Sequence, residues 1–411
     1  MQFVIPLFGG LLAAAWSGIA AEYTRGVRQG KSLRQQQPYP KPSPAGGVPA
    51  EVPSLSVLIA ACNEEEKLPT AFRSLLAQEY PGSFEIVVVN DRSTDRTGAI
   101  LDALTAEAQE SHPDKNVLVL HNRHLPTGWL GKTHAQYQAA KRANGEWLLF
   151  TDADIVFEET ALSRAVRFAE TEKVDHLVTF MNLDLRGFWE NVFGLGFSFL
   201  FFMRFRPWQV RNPKSSAYLG VGGFNLVRRY AYDGMGTHRA IALEVADDME
   251  LGRQLKRNGY VSEVVDADGL ISVRWQEGLD GLMGGLVKNA YAGLNYSPLQ
   301  VVSATGQLLA GIWVPIMGTI LAKGKARTGY GIATAILLGL ASFHARAGKI
   351  PPAYGLTLPI STLLLIVVMW RSMFVTEKNG GITWRGTFYP LETLRERAIP
   401  AEPTAEQANH L

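Results

Sequence analysis

The sequence predicts an α/β fold with a mixed, mostly parallel sheet between helices, preceded and followed in the chain by membrane helices. Three observations carry this expectation. Between Ser54 and Asp154, short apolar runs alternate with segments of helical periodicity, as in strand–helix repeats that cover both faces of a parallel sheet. Three of those runs close on polar residues, where ligands bind in such sheets. Long uncharged stretches at 3–21 and beyond residue 298 are near the length that crosses a bilayer.

The elements follow in order. Residues 3–21, FVIPLFGGLLAAAWSGIAA, carry no charge, and the basic residues Arg25, Arg28, Lys31 and Arg34 come after them. A cleaved signal has its positive charges first, so 1–24 reads as a transmembrane helix with the following chain on the cytoplasmic side. A buried core helix is the competing reading. The proline-dense stretch QQQPYPKPSPAGGVPAEVP makes 25–53 a linker. SLSVLIAA then reads as a strand, and Leu68, Phe72, Leu75 and Leu76 fall on one face of a helix. FEIVVVND, NVLVLH and EWLLFTDAD read as three further strands, separated by the helices TGAILDALTAEAQE and KTHAQYQAAKRA. Asn63-Glu64, Asn90-Asp91 and Asp152–Asp154 thereby gather at strand ends. VFGLGFSFLFFM, at 192–203, is too short to span and precedes Arg204 and Arg206, so it is an interfacial segment or a core helix. Residues 299–322, 329–343 and 353–370 are candidate spans, the middle one weakest. Three full spans put the tail outside, yet it holds Arg371, Lys378, Arg385, Arg395 and Arg397. One of the three is therefore expected to be re-entrant or monotopic.

Composition removes several classes. With 40 Lys+Arg against 38 Asp+Glu, there is no basic excess to draw nucleic acid. The single cysteine, Cys62, allows neither an intrachain disulfide nor a cysteine zinc cluster, and reads as a small core residue. LPTGWLGKTHAQ resembles a phosphate loop, but Pro126 stands where that loop needs glycine. Proline offers no N–H to a phosphate.

Asp152-Ala153-Asp154 is the strongest chemical signal. Two carboxylates two residues apart at a strand end suit Mg2+ or Mn2+, with positions left for phosphate oxygens. A solvated turn is the ordinary alternative. Asp91 ends a buried strand and suits ribose hydroxyls or a base N–H, whereas Asp95 reads as a helix N-cap. Asp247-Asp248 open a helix, either as dipole partners or with one aspartate presented as a base. Gly222 and Gly223, just before, let backbone approach a ligand closely. Arg274 suits a diphosphate and Trp275 a ring; an amphipathic surface helix is the alternative.

VLIAACNEE, VVVNDRSTDRT, GKTHAQYQAAKRANGEWLLFTDAD, GGFNLVRR, DDMELGRQLKRNGY and RW stand in the order seen in family 2 glycosyltransferases. The chain resembles the membrane-bound branch with ceramide glucosyltransferases and bacterial carotenoid and hopanoid glycosyltransferases. The resemblance covers about 54–290, and the tail GITWRGTFY is also similar to that branch. It implies a GT-A fold, inversion at the anomeric carbon, a nucleoside-diphosphate sugar donor (a UDP-sugar foremost) and a lipid acceptor. Position by position, Asp91 matches a nucleoside contact; Asn63 and Glu64 lie on the donor side. Asp152 and Asp154 match the metal motif, with Asp154 the direct ligand, and Asp248 matches the base. Asp247 replaces the Glu of the family's Glu-Asp pair. Arg274 and Trp275 match the end of a Gln/Arg-x-x-Arg-Trp motif whose first position is Ile271 here. Lys132 falls near the donor diphosphate. The implied domains are 54–290 for catalysis, 291–375 for the membrane and 376–411 for a cytoplasmic tail, in a multi-pass protein of the cytoplasmic (inner) membrane. A polysaccharide synthase of the same family and a non-catalytic membrane scaffold are the rival readings.

Overall fold

The computed structural model describes residues 4–41 and 52–396, with side chains from Phe8 onward. Residues 42–51 of the expected linker, and Arg397, lie outside the described residues. The chain forms two compact units, one of residues 31–183, 210–273 and 383–411, the other of 1–30, 184–209 and 274–382. Relative to the expected 54–290 domain, 184–209 and 274–290 fall with the helices. Residues 31–41, 52–53 and 383–396 fall with the sheet.

In the sheet unit the strands are β1 (Lys31–Ser32), β2 (Leu55–Ala61), β3 (Phe84–Asp91), β4 (Asn116–Asn122), β5 (Trp147–Thr151), β6 (Ile155–Phe157), β7 (His176–Phe180), β8 (Asn182–Leu183), β9 (Asn225–Arg228), β10 (Ser262–Asp266) and β11 (Ile271–Val273). Eight form one sheet in the order β1-β10-β7-β9-β5-β2-β3-β4, and β6-β11-β8 form a second. All pairs in the large sheet are parallel except those of β9 with β5 and β7. The four strands expected from the sequence are β2 to β5. Every residue of β2 and β5 is buried, which is why both are continuous apolar runs. Helices Leu68–Leu76, Thr97–Ser111 and Gly131–Arg142 fall where the periodicity places them. Gln36 and Pro38 of the linker accept hydrogen bonds from Arg164 and Arg167, and β1 pairs with β10. This part of the linker is docked on the sheet unit.

The helical unit contains Val4–Arg28, Gly187–Phe205, Gly278–Ala290, Pro298–Leu308, Val314–Leu321, Gly324–Ala347 and Leu358–Asn379. A π turn, Leu309–Trp313, joins the fourth and fifth. Among the described residues, Pro298–Leu321, Gly324–Ala347 and Pro352–Asn379 are long and apolar enough to cross a membrane. The middle stretch, weakest in the sequence, is a continuous 24-residue helix. Residues 192–203 lie within Gly187–Phe205, whose Phe193 and Phe199 are fully buried.

Where two helices approach closely, small residues let their backbones meet. A Cβ on Gly329 would stand 2.7 Å from the carbonyl carbon of Gly9, whereas one on Gly10 would meet nothing within 4 Å. Gly329→Leu is expected to destabilise the detergent-solubilised protein by about 1–3 kcal/mol, the usual cost of overpacking. Gly10→Leu is expected to leave it unchanged. Thermal unfolding of the two variants checks this.

Candidate active site

Three neighbouring parallel strands deliver the polar residues. Asn63 and Glu64 follow β2, Asp91 ends β3, and Asp152 follows β5, so all three sets leave the same sheet edge. Asn63 takes a left-handed turn with φ 57°, and its Oδ1 accepts from the Thr94 amide at 2.8 Å. The Glu64 amide donates to Thr97 Oγ1 at 2.8 Å. These bonds tie the ends of β2 and β3 together. Asp95 Oδ1 accepts from the Thr97 amide at 2.9 Å, the helix-start role expected of it.

Asp91 is fully buried, and its carboxylate is held on both oxygens. Arg92 donates from Nε to Oδ1 at 2.9 Å and from Nη2 to Oδ2 at 3.1 Å. Arg385 Nη1 stands 3.6 Å from Oδ2. Arg385 comes from a hairpin of β12 (Gly381–Trp384) and β13 (Thr387–Pro390). Thr387 Oγ1 of β13 accepts from Arg92 Nη1 at 2.7 Å, and the Tyr389 hydroxyl accepts from the Gly131 amide at 3.2 Å.

Lys132 occupies the second focus. Its ammonium is 2.8 Å from Asp152 Oδ1 and 3.6 Å from Asp247 Oδ2. Burial works to lower its pKa, but Asp152, Asp247 and Asp248 outweigh this and raise it, so it stays charged. The Thr133 hydroxyl donates toward the carbonyls of Leu130 and Ala242. The amide of Gly131 is taken by Tyr389, and the triplet Gly131-Lys132-Thr133 serves this acidic cluster rather than a phosphate loop.

Gly222 marks where the cluster converges. A Cβ there would lie 2.8 Å from Asp152 Oδ2 and 3.5 Å from both Asp248 Oδ2 and Lys132 Nζ. Gly223 plays a different part: a Cβ on it would strike Met181, just after β7, and Ile155 of β6. Asp247 and Asp248 open the helix Asp247–Arg257, and Asp248 Oδ1 accepts from the Met249 amide at 2.8 Å. Burial, then Asp247, pushes the Asp248 carboxyl up to about 6, with Lys132 opposing. Burial likewise raises Asp247. Asp154 meets Lys67 Nζ at 3.4 Å through Oδ2, and burial followed by Asp152 raises it. Burial, Asp154 and Asp152 push Glu64 up to about 7 against Arg385. The site is short of positive charge.

Asp91, Asp152, Asp154, Asp247, Asp248, Lys132 and Glu64 thus share one strand-end region. Arg274 and Trp275 belong to the helical unit. There Glu190 accepts from Arg274 Nη1 and Nη2 at 2.6 and 2.9 Å, and Trp275 packs on Phe197 with ring centres 5.5 Å apart. Ile271 is a fully buried residue of β11, so the polar contact of that motif position is absent here. Cys62 is half-buried beside the site, with burial raising its thiol pKa. Sequence reasoning does not find Lys67, Arg92, Arg385, Thr387 or Tyr389. The basic tail residue Arg385 has a signal, but only as a topology charge.

Residues 56–236 match the family model described as Glycosyl transferase family 2. A 4,4'-diaponeurosporenoate glycosyltransferase of Staphylococcus aureus (strain MRSA252) is 20% identical over 344 residues, covering 82% of this chain and 88% of that protein. The protein of that name from strain USA300 has the same identity and coverage. Among solved structures, a mannosyltransferase from Pyrobaculum calidifontis in complex with GDP-Man and Mn2+ superposes with TM-score 0.54 at 18% identity, covering 88% of this chain and 99% of that one. The likeness is one of fold.

A carboxyl whose pKa is raised on folding favours the folded state at low pH and loses that advantage as pH climbs through the folded value. For Glu64 the window runs from 4.5 to about 7. In EDTA, Glu64→Gln is therefore expected to raise the Tm at pH 8 and to change it little at pH 4. Thermal scans across this range read the difference.

Proposed function

This chain is a family 2 glycosyltransferase with a GT-A α/β fold, and from that premise we propose that it moves a sugar from a nucleoside-diphosphate donor, foremost a UDP-sugar, to a lipid alcohol or acid with inversion. The observation that carries the reading is the meeting of Asp152, Asp248 and Lys132 around Gly222, with Asp154 and Asp247 beside them, in a chain that also has three membrane-length apolar helices.

The residues suit a divalent cation, Mg2+ or Mn2+. Asp152 and Asp154 would hold it: each meets a lysine, yet Asp154 and Glu64 are still raised by burial and by their carboxylate neighbours. When bound, the cation would offset charge growing on the leaving diphosphate. The mannosyltransferase of the same fold, described with GDP-Man and Mn2+, supports this donor chemistry. Lys132 sets a positive charge against Asp152 and Asp247 and offers it where the diphosphate departs. Asp248 takes the proton of an acceptor hydroxyl. At about 6 its carboxylate is ionised at neutral pH yet basic enough to accept one. Asn63 and Glu64 shape the donor side, and Asp91 with Arg92 forms the nucleoside wall. Arg274 and Trp275 are proposed donor contacts on the resemblance alone.

The acceptor reading draws on the relative named for 4,4'-diaponeurosporenoate, a carotenoid acid, whose likeness covers the helical segments as well. The helices expose Leu299, Ile320, Leu321 and Phe374, a surface that suits lipid better than water. We place them in the cytoplasmic membrane as a multi-pass anchor, with the sheet unit on the cytoplasmic side, from Arg25 and Arg28 at the end of the first helix.

Nucleoside-diphosphate release from candidate donors, with a membrane lipid extract and Mn2+, tests the reading; no release would overturn it. Asp248→Asn is expected to retain donor binding and cut transfer to a lipid alcohol by roughly 100-fold or more. Transfer to a carboxylate acceptor, which arrives ionised, should fall far less. Single-turnover rates with the two acceptor classes distinguish them. In the unaltered enzyme, transfer to an alcohol should rise with pH along a limb centred near about 6. Asp154→Ala is expected to raise the Mn2+ concentration needed for donor binding, as read by calorimetric titration.

A further inference from the structure

The C-terminal hairpin brings to the strand ends a cation that the reaction described above does not use. Arg385 and Gly386 join β12 to β13, and both have positive φ, 48° and 75°. A two-residue hairpin turn favours Asn-Gly or Asp-Gly at such positions. For an ordinary side chain the left-handed conformation is unfavourable. Local folding therefore gives no reason for arginine here, and strained residues of this kind cluster at ligand sites. The surroundings supply the reason. Arg385 Nη2 donates to the carbonyl of Ala60, at the end of β2, at 3.1 Å. Nη1 is buried without a hydrogen-bond partner among the described residues, and its carboxylate neighbour, Asp91 Oδ2, is 3.6 Å away. Asp91 is already bound by Arg92 through both oxygens. The Arg385 charge also acts on Glu64 and Asp247, and its contacts with Ala60 and Asp91 set the guanidinium at the ends of β2 and β3. The hairpin is fastened by Thr387 to Arg92 and by Tyr389 to Gly131. A buried N–H without an acceptor is costly, and a guanidinium edge matches phosphate oxygens in geometry and charge.

We propose that Arg385 is a donor-binding residue, its Nη1 edge donating to the diphosphate of the nucleotide, and that the C-terminal hairpin forms one wall of the nucleotide pocket. This rests on the donor reading above and adds the segment that completes the site.

The test uses the full chain in detergent with Mn2+, and UDP, GDP, uridine and guanosine as probes. Arg385→Asn removes the guanidinium while placing a residue that suits the left-handed turn. The apo Tm of this variant is expected to equal or exceed that of the unaltered protein. Its affinity for the preferred nucleoside diphosphate should fall about tenfold or more, as loss of a charge-assisted hydrogen bond predicts, with nucleoside affinity unchanged. Arg385→Lys, which keeps the charge without the fork, should fall in between. Diphosphate affinity in Arg385→Asn equal to that of the unaltered protein would overturn the inference and leave the donor reading standing. An equal loss for the nucleoside, or a lowered apo Tm, would overturn the diphosphate assignment in favour of a base contact or a structural role. Binding of neither diphosphate by the unaltered protein would remove the donor reading and this inference together.

Discussion

The Lys132 ammonium, 2.8 Å from Asp152 and 3.6 Å from Asp247, is the charge on which the acidic cluster depends. Carboxylates gathered at a poorly hydrated sheet edge repel one another and lose solvation. Lys132 is placed to counter both effects because the helix Gly131–Arg142 begins beside the ends of β2 and β3 and directs its first turn inward. One buried lysine does not balance the neighbouring aspartates. Asp154 and Asp248 remain raised, and Glu64 with them. A site in this state gains by taking up positive charge and by positioning one carboxylate as a proton acceptor. The same imbalance that makes the cluster costly to fold suits it to a cation and a departing diphosphate.

Backbone shape makes the convergence possible. Gly222 lies against Asp152, Asp248 and Lys132; a Cβ there would push the Asp152 carboxylate, 2.8 Å away, and touch the other two at 3.5 Å. The helix carrying Asp248 approaches the same loop so closely that a Cβ on Gly252 would collide with the Leu219 carbonyl. The position of Asp248 is thus fixed by packing between helix and loop, and its partly exposed carboxylate remains reachable. Rigid support of this kind is what the proton-acceptor role proposed for Asp248 requires.

Much of this was legible in the sequence, for identifiable reasons. Strands β2, β3 and β5 are central and largely buried, so each is a predominantly apolar run, broken only by Ser56 and Glu85, with polar residues emerging at its end. The short strands β7 to β11 hold two to five residues, too few for a period to declare itself. The antiparallel β9 follows a glycine-rich loop that reads as irregular. Asp152 and Asp154 stood out as carboxylates at the end of an apolar run, and Asp248 as one of two adjacent aspartates opening a helix. Arg92 and Arg385 did not, since an arginine in a polar turn is ordinary until its partner is seen. The partner of Arg92 at Thr387 is 295 positions away, a separation over which local pattern carries no information.

That separation bears on how the protein is built. The chain passes between sheet unit and helical unit five times, and neither is a continuous stretch of sequence. A piece cut at 54 and 290 would lack β1, which pairs with β10 through Lys31 and Ser32. It would also lack the hairpin that holds Arg92 and the Gly131 amide. Its Arg92 would keep Asp91 but lose Thr387, and the first turn of the Lys132 helix would lose its Tyr389 cap. The acidic cluster would remain in the sequence with less to hold it in place. The helices between residues 278 and 379 are therefore interposed in the chain between parts of the sheet unit. They are the stretch of chain through which the hairpin bearing Arg385 is reached.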